Sequence, residues 1–410
     1  MFFESLIEIG SVLRRNKLRT FLTALSVAWG MFMLSLLLGA GRGLENGVAW
    51  EFRDEAVNSI WVNGQQTSVA YAGRGPGRDV RLTNDDYAAL ARSIPQIEQL
   101  TGRFFLYGEF FVRYRDRHAA FDIRGAHPAH RYVEKTQMVR GRYLNAKDVE
   151  ERRKVAVIGS KVREALFGER SAIGEYIEIR GLHYRVVGEF QDEGGEAELR
   201  KIYVPISTAQ LVYNAPGRIH HLIFTLKSDD IEQSRQAAAL TRSLLGKRHS
   251  IAPDDRRALR VNNNLDRFLK LTGAFAWITV FVWIVGAGTL LAGIIGVGNI
   301  MLISVAERTK EIGIRKALGA TPASIVRMIV IEAMLITALS GYAGLVAGVL
   351  LVEAVADATR GTPFLRDPSV DLRVALTASA LLVVAGMLAG LFPALRAARV
   401  DPIVALRQGD

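Results

Sequence analysis

The chain of 410 residues contains no cysteine. That excludes a disulfide framework and a cysteine-ligated zinc site, and leaves any exported domain to rely on core packing without deciding its redox compartment. No G-x-x-x-x-G-K-[ST] phosphate loop occurs anywhere; Gly246-Lys247 lacks the upstream glycine and is followed by Arg248. Nor does a catalytic set emerge. His127 and His130 form an H-x-x-H pair, but Pro128 between them would hinder a metal-binding helix, so both are expected to be solvated loop histidines. His220 and His221 point to opposite faces if their segment is a strand. Asp85-Asp86 fits the chemistry of a helix start and needs no acid/base role.

What the chain does have is four long apolar runs. Residues 21–40 are uncharged and as a helix would span roughly 30 Å, the thickness of a bilayer core. Three more follow, over residues 271–303, 325–352 and 374–395, the third run tolerating Glu332 close to its start. These lengths exceed ordinary buried core helices. Arginine and lysine set the orientation, because positive charge near span ends stays on the cytoplasmic side. Arg14, Arg15, Lys17 and Arg19 precede the first span; Arg308, Lys310, Arg315, Lys316 and Arg327 lie between the second and third; Arg396, Arg399 and Arg407 follow the fourth. In the connection over residues 353–373, by contrast, acids outnumber bases by one. Both termini are therefore expected in the cytosol, with residues 1–20 a cytosolic N-terminal helix, residues 396–410 a cytosolic tail, and residues 41–270 exported. The first span is longer than a signal-peptide core and lacks an A-x-A site, so it reads as an uncleaved anchor. The formal charge of +11 is partly this flanking arginine and is otherwise dispersed, which favours lipid headgroups over nucleic acid.

Within the exported part, residues 50–109 and 217–265 read as halves of one α+β layer. Ile60-Trp61-Val62 is a strand, Thr83 an N-cap with acids in the first turn behind it, and Asp85 to Ser93 a helix ended by Pro95. A strand follows around Leu100 to Tyr107, and much later a strand over His221 to Lys227 leads to a helix from Asp230 to Leu245. Between the halves, residues 110–216 form a β-rich insertion with strands near 111–114, 120–123, 154–158, 176–180 and 183–187 and one helix over Lys161 to Phe167. Its tip from Gln191 to Glu196 reads as a loop.

The connection from Ser304 to Thr321 is a charged helix wedged between two spans. Arg308, Glu311 and Arg315 recur on one face, and Glu311 can pair with Arg315 at i, i+4. Gly319 suits a helix end, and Thr321-Pro322 is an N-cap with proline at the first helical position.

Several separated segments identify the family. They are Asn16-Lys-Leu-Arg-Thr-Phe-Leu-Thr23; Gly141-Arg-Tyr-Leu, Val155-Ala-Val-Ile-Gly-Ser160 and Leu166-Phe-Gly168; Tyr203-Val-Pro-Ile-Ser207; Glu307 to Thr321; and Pro393-Ala-Leu-Arg-Ala-Ala-Arg399 with Asp401-Pro402 and Ala405-Leu406. With them the chain resembles the MacB/FtsX-like permease subunits of ABC transporters, the type VII or mechanotransmission class, and is more similar to MacB than to the cell-division member. The resemblance covers nearly all of the chain. It implies a membrane protein of four transmembrane helices plus a large α+β extracytoplasmic domain, made of a porter-like lobe with an inserted β-rich lobe. It further implies a dimer with itself or a sister permease, a separate cytosolic ATPase subunit that uses ATP and Mg while this chain binds no cofactor, and a periplasmic adaptor with an outer-membrane exit duct.

On this resemblance, the segment over residues 304–324 is the coupling helix that docks into a groove of the ATPase. Glu307, Arg308, Lys310, Glu311, Arg315 and Lys316 supply its polar contacts, Gly313 permits close approach and Gly319 ends it. Gly286, Gly293 and Gly296 in the second span, with Gly341, Gly344 and Gly348 in the third, allow tight helix approach, and Asn299 is expected to bond across helices. Two rival functions remain open. One is FtsX-like signalling to a cell-wall hydrolase; the other is lipoprotein release, whose expected hallmark is an apolar cleft between the first and second spans that Trp29, Phe32, Trp277 and Trp283 would line.

Overall fold

A computed structural model of the protein describes residues 17–401 apart from 109, 361, 363 and 364. Most of the expected N-terminal helix, and Pro402, Ala405 and Leu406, lie outside the described residues. In chain order the elements are α1 Lys17–Glu51, β1 Ser59–Gly64, β2 Leu82–Thr83, α2 Asn84–Ser93, β3 Ile97–Phe105, β4 Phe110–Tyr114, β5 Arg117–Ala126, α3 His130–Val133, β6 Gln137–Gly141, α4 Ala146–Glu150, β7 Val155–Gly159, α5 Ser160–Phe167, β8 Tyr176–Ile179, β9 Leu182–Gln191, α6 Glu196–Leu199, β10 Lys201–Pro205, α7 Ile206–Val212, β11 Arg218–Ile219, β12 His221–Leu226, α8 Ile231–Arg248, β13 Leu259–Asn263, α9 Asn264–Glu307, α10 Thr309–Ala317, α11 Pro322–Ala358 and α12 Leu372–Ala398. Two compact units result: Glu51–Leu271, and Met1–Trp50 together with Thr272–Asp410.

In the first of these units β3, β12, β1 and β13 form an open antiparallel sheet. Helix α2 starts where the main-chain N–H of Thr83 donates to Asp86 Oδ2 at 2.9 Å, and α8 where Asp230 accepts from the amides of Glu232 and Gln233. Both are side-chain caps on amides that the helix itself cannot pair. Strand β5 then continues into the insertion, where β10, β7, β9, β8, β4 and β5 pair in a ring that closes through a parallel β10–β5 ladder. Closure removes the free strand edges that a small sheet would otherwise expose. Val112, Phe121, Ile123, Ile158, Ile177, Tyr184, Val186 and Ile202 are buried in its core. The two textures read in residues 50–265 thus meet at β5, which pairs with β3 on one stretch and β4 on another.

Strands β6, β10 and β13 and helices α4 and α7 were not expected from the sequence. All are short, and β10 is buried at every position, so it carries no alternation to read. The histidine expectation is corrected. His130 is fully buried and its Nε2 lies 3.0 Å from Glu134, whose carboxylate also contacts Arg103 and accepts from the Tyr203 hydroxyl. His127 stacks on Tyr87 at 4.3 Å between ring centres and its Nδ1 accepts from the Gly102 amide; burial pushes it down to about 4. Pro128 does mark a turn, but the turn is covered by β3 and its neighbours.

In the other unit, α1, α9, α11 and α12 are long and apolar enough to cross a membrane. Their close contacts fall at glycines. A Cβ on Gly344 would run into the carbonyl of Ala28 in α1, one on Gly348 would meet Ser35 and Phe32 of α1, and one on Gly341 would meet the Leu382 side chain of α12. Gly286 and Gly293 of α9 face Leu34 and Val27 of α1. Two of the expected positions make no such contact within the single chain. Nothing lies within 4 Å of a Cβ built on Gly296, and Asn299 is exposed, with no bond to another helix found for it among the described residues. The helical repeat turns both away from the faces that carry Val297 and Met301 into the core.

Candidate functional site

Helix α10 begins at a break in the chain's helical run. Arg308 has φ −104° and ψ 15°, yet its N–H still donates to Ser304 O and its carbonyl accepts from Ile312 N, so the backbone turns without leaving unpaired groups. At the far end Gly319 adopts φ +98°, a left-handed conformation that favours glycine. Thr321 then accepts from Ser324 N, and Pro322 opens α11.

The face with Arg308, Glu311 and Arg315 turns toward the protein. Arg308 Nε lies 3.1 Å from Glu311 and its Nη1 3.5 Å from Glu332 on α11. Arg315 reaches Glu311 at 3.0 Å and Met328 Sδ, also on α11, at 2.8 Å. Lys316 donates to the carbonyls of Ala398 and Val400 at 2.9 and 2.6 Å, satisfying acceptors at the C-terminal end of α12. Ile312 and Gly313 are buried beneath the helix. The close approach that Gly313 permits is therefore to the protein's own helices.

A different face is open. Glu307, Lys310, Ile314, Ala317 and Leu318 fall at helical spacing and are exposed, Ile314 to 43% and Leu318 to 83%. Spacing alone groups residues correctly by face but does not say which face is outward. Sequence reasoning also left Glu332 without a role. A lone carboxylate in an apolar run was the available signal, since such groups are rare and paired.

Two further features bear on function. A cavity of about 260 Å³ opens between α1 and α9, lined by Leu37, Leu38, Phe275, Ile278 and Trp283 with Arg42 and Asp371 paired at its polar side. Trp29 and Trp277 do not line it and are exposed. In the unit Glu51–Leu271 a polar cavity of about 200 Å³ is walled by Arg103, Arg124 and Lys201 with Glu55, Glu134 and Asp192. Burial, reinforced by Arg124 and Arg103, pushes Lys201 down to about 6, against the pull of Asp122 and Asp192. Burial raises Glu55 above the usual carboxylate range. Among the described residues no group of three His, Cys, Asp or Glu side chains is placed to hold a metal ion.

Residues 20–240 match the model of the MacB-like periplasmic core domain, and residues 283–402 that of the FtsX-like permease C-terminal region. The chain belongs to the MacB/FtsX-like permeases of ABC transporters. As such it is a membrane protein with four spans and an extracytoplasmic-type α+β domain. The permease is 28% identical over 396 residues to the macrolide export ATP-binding/permease protein MacB of Chlorobaculum tepidum, covering 96% of this chain and 59% of that one. It is 30% identical over 399 residues to the pyoverdine export ATP-binding/permease protein PvdT of Pseudomonas syringae pv. tomato, covering 95% and 57%. It thus spans less than two thirds of the length of these relatives. Among solved structures, the extracellular domain of the noncanonic ABC-type transporter YknZ aligns with 50% of this chain and 100% of that one, at 19% identity and a TM-score of 0.43. The periplasmic region of MacB from Actinobacillus actinomycetemcomitans aligns with 55% and 97%, at 16% identity and the same score.

Proposed function

We propose that this permease is the membrane subunit of a MacB-type exporter, in which a cytosolic ABC ATPase binds ATP and Mg and docks on the open face of α10. The observation that carries the reading is the two-sidedness of that helix. One face is pinned to α11 and α12 by Arg308, Arg315 and Lys316. The other presents Glu307, Lys310, Ile314 and Leu318 to solvent. An exposed leucine at the tip of a charged helix suits a partner's groove, with the flanking charges setting orientation. Closing of the ATPase pair then moves α10 as a rigid body and carries the spans with it, a movement of packed elements. The names of the relatives, which join ATP binding, permease and export, support this assignment of roles.

In this reading both termini lie in the cytosol, the membrane is the bacterial inner membrane, and residues 51–271 work in the periplasm with an adaptor and an outer-membrane exit duct. The permease pairs with a second permease, itself or a sister chain; the outward Gly296 and Asn299 leave α9 a polar, small-residue face for that contact. The cavity between α1 and α9 favours lipoprotein release as the second reading, because an apolar wall beside a polar Arg42–Asp371 rim suits a lipid-anchored cargo.

Co-purification tests the docking. Leu318→Asp changes an exposed side chain, so the fold is expected to hold within about 0.5 kcal/mol, while the ATPase subunit recovered with the wild-type chain from native membranes is lost. Full retention of the ATPase by this variant and by Ile314→Asp would overturn the reading.

A further inference from the structure

We infer that Glu332 is the positioning residue that ties the coupling helix to the third span, so that α10 and the start of α11 move as one body. This rests on the docking reading above. Glu332 is 4% exposed and lies in the third turn of a helix that is otherwise apolar around it. A carboxylate withdrawn from water is costly unless paired, and one partner here is the Arg308 guanidinium at 3.5 Å. Arg308 is the residue at which α9 breaks into α10. The same guanidinium also holds Glu311 one turn into α10. One side chain at the break therefore touches both α10 and α11.

A second tie lies beside it. Arg315 bridges Glu311 to Met328, which sits one turn before Glu332 on α11. The two arginines and two glutamates balance in charge, and the space among them is about 10 Å³, room for about one water. Water therefore does little to screen the Arg308–Glu332 pair. Glu332 is buried and takes no part in the open face. Its role is to turn a push on α10 into movement of α11. With a neutral residue in its place, α10 would keep the Arg315–Met328 contact and its buried Ile312 but lose the charged tie at the break itself.

Because the native chain has no cysteine, spin labels can be placed without background. Lys310→Cys and Tyr342→Cys, both exposed, report the distance between α10 and α11 by pulsed EPR in the full chain in lipid nanodiscs. The expected result is a single narrow distance distribution in the labelled parent, its loss in Glu332→Gln and its return in Glu332→Asp. Should Glu332→Gln fail to insert, the double variant Arg308→Met with Glu332→Met replaces the pair by apolar side chains and is expected to lose the narrow distribution while still folding. A distribution as narrow in these variants as in the parent overturns the inference. The measurement needs no ATPase, so its failure is separable from failure of docking. In complexes purified with their ATPase, Glu332→Gln is expected to keep the subunit and its hydrolysis and to lose ATP-dependent movement of the exported unit. Unchanged movement in that variant would also overturn the inference.

Discussion

Placing one methyl group at each of four glycines is expected to rank the helix contacts of the membrane unit by what the methyl meets. At Gly344 a Cβ runs into the main chain of Ala28, including its carbonyl oxygen, and the backbone of α1 cannot turn aside as a side chain can. At Gly348 it meets Ser35 Cβ at 2.7 Å and Phe32 O at 3.1 Å; at Gly341 only the flexible end of Leu382; at Gly296 nothing within 4 Å. Overpacking costs about 1–3 kcal/mol, while replacing a helical glycine by alanine gains about 0.5–1 kcal/mol from backbone entropy. Gly344→Ala should therefore destabilise by about 1–2 kcal/mol net, Gly348→Ala by somewhat less, Gly341→Ala hardly at all, and Gly296→Ala should stabilise. Reversible unfolding in mixed micelles, followed by circular dichroism, reads the four variants on one scale. If Gly344→Ala is as stable as the parent, or if Gly296→Ala is the more damaging of the two, the packing account is wrong.

Two further predictions concern the unit Glu51–Leu271. Burial alone would raise Asp86, but hydrogen bonds from His249 at 2.8 Å and Arg248 at 2.7 Å outweigh it and hold the carboxyl at about 2. The folded state thus binds protons less readily than the unfolded one, so this contribution is present above the ordinary carboxylate range and is lost as pH falls through about 2. Asp86→Asn should lower the melting temperature at neutral pH and flatten the acid limb of the stability profile. Lys201 gives a slope of the same sign in a different window: pushed down to about 6 from an ordinary 10.5, it makes stability rise with pH between those values, since the unfolded chain holds more protons there. Thermal melts of Lys201→Met across that window should show a flatter slope than the parent, and an unchanged slope would count against the assignment.

Much of the architecture was legible because its signals are long. Four apolar runs, the capped helix after Thr83 and the run of strand-forming residues at His221 depend on local chemistry that tertiary context seldom overrides. The barrel closure was not legible, since the pairing of β10 with β5 joins residues far apart along the chain and leaves no local mark. The candidate site was half legible. Grouping Arg308, Glu311 and Arg315 on one face was sound, but charge was taken as a sign of outward exposure. In the fold those charges satisfy one another and Glu332, while Ile314 and Leu318 face outward. Apolar residues turned outward and charges turned inward are the arrangement that periodicity cannot distinguish from its reverse. His130 misled for the same reason, as its polarity is met by Glu134 within the core.

The most direct test of the central claim is site-specific photo-cross-linking from α10 in native membranes. A photoreactive phenylalanine analogue at Leu318 or Lys310, on the open face, is expected to capture a protein carrying an ABC phosphate loop. The same group at Val305, which is buried in the helix core, should capture none. Capture of the ATPase from the open positions alone is what the account predicts; no ATPase from either open position, with the chain inserted and intact, would contradict it.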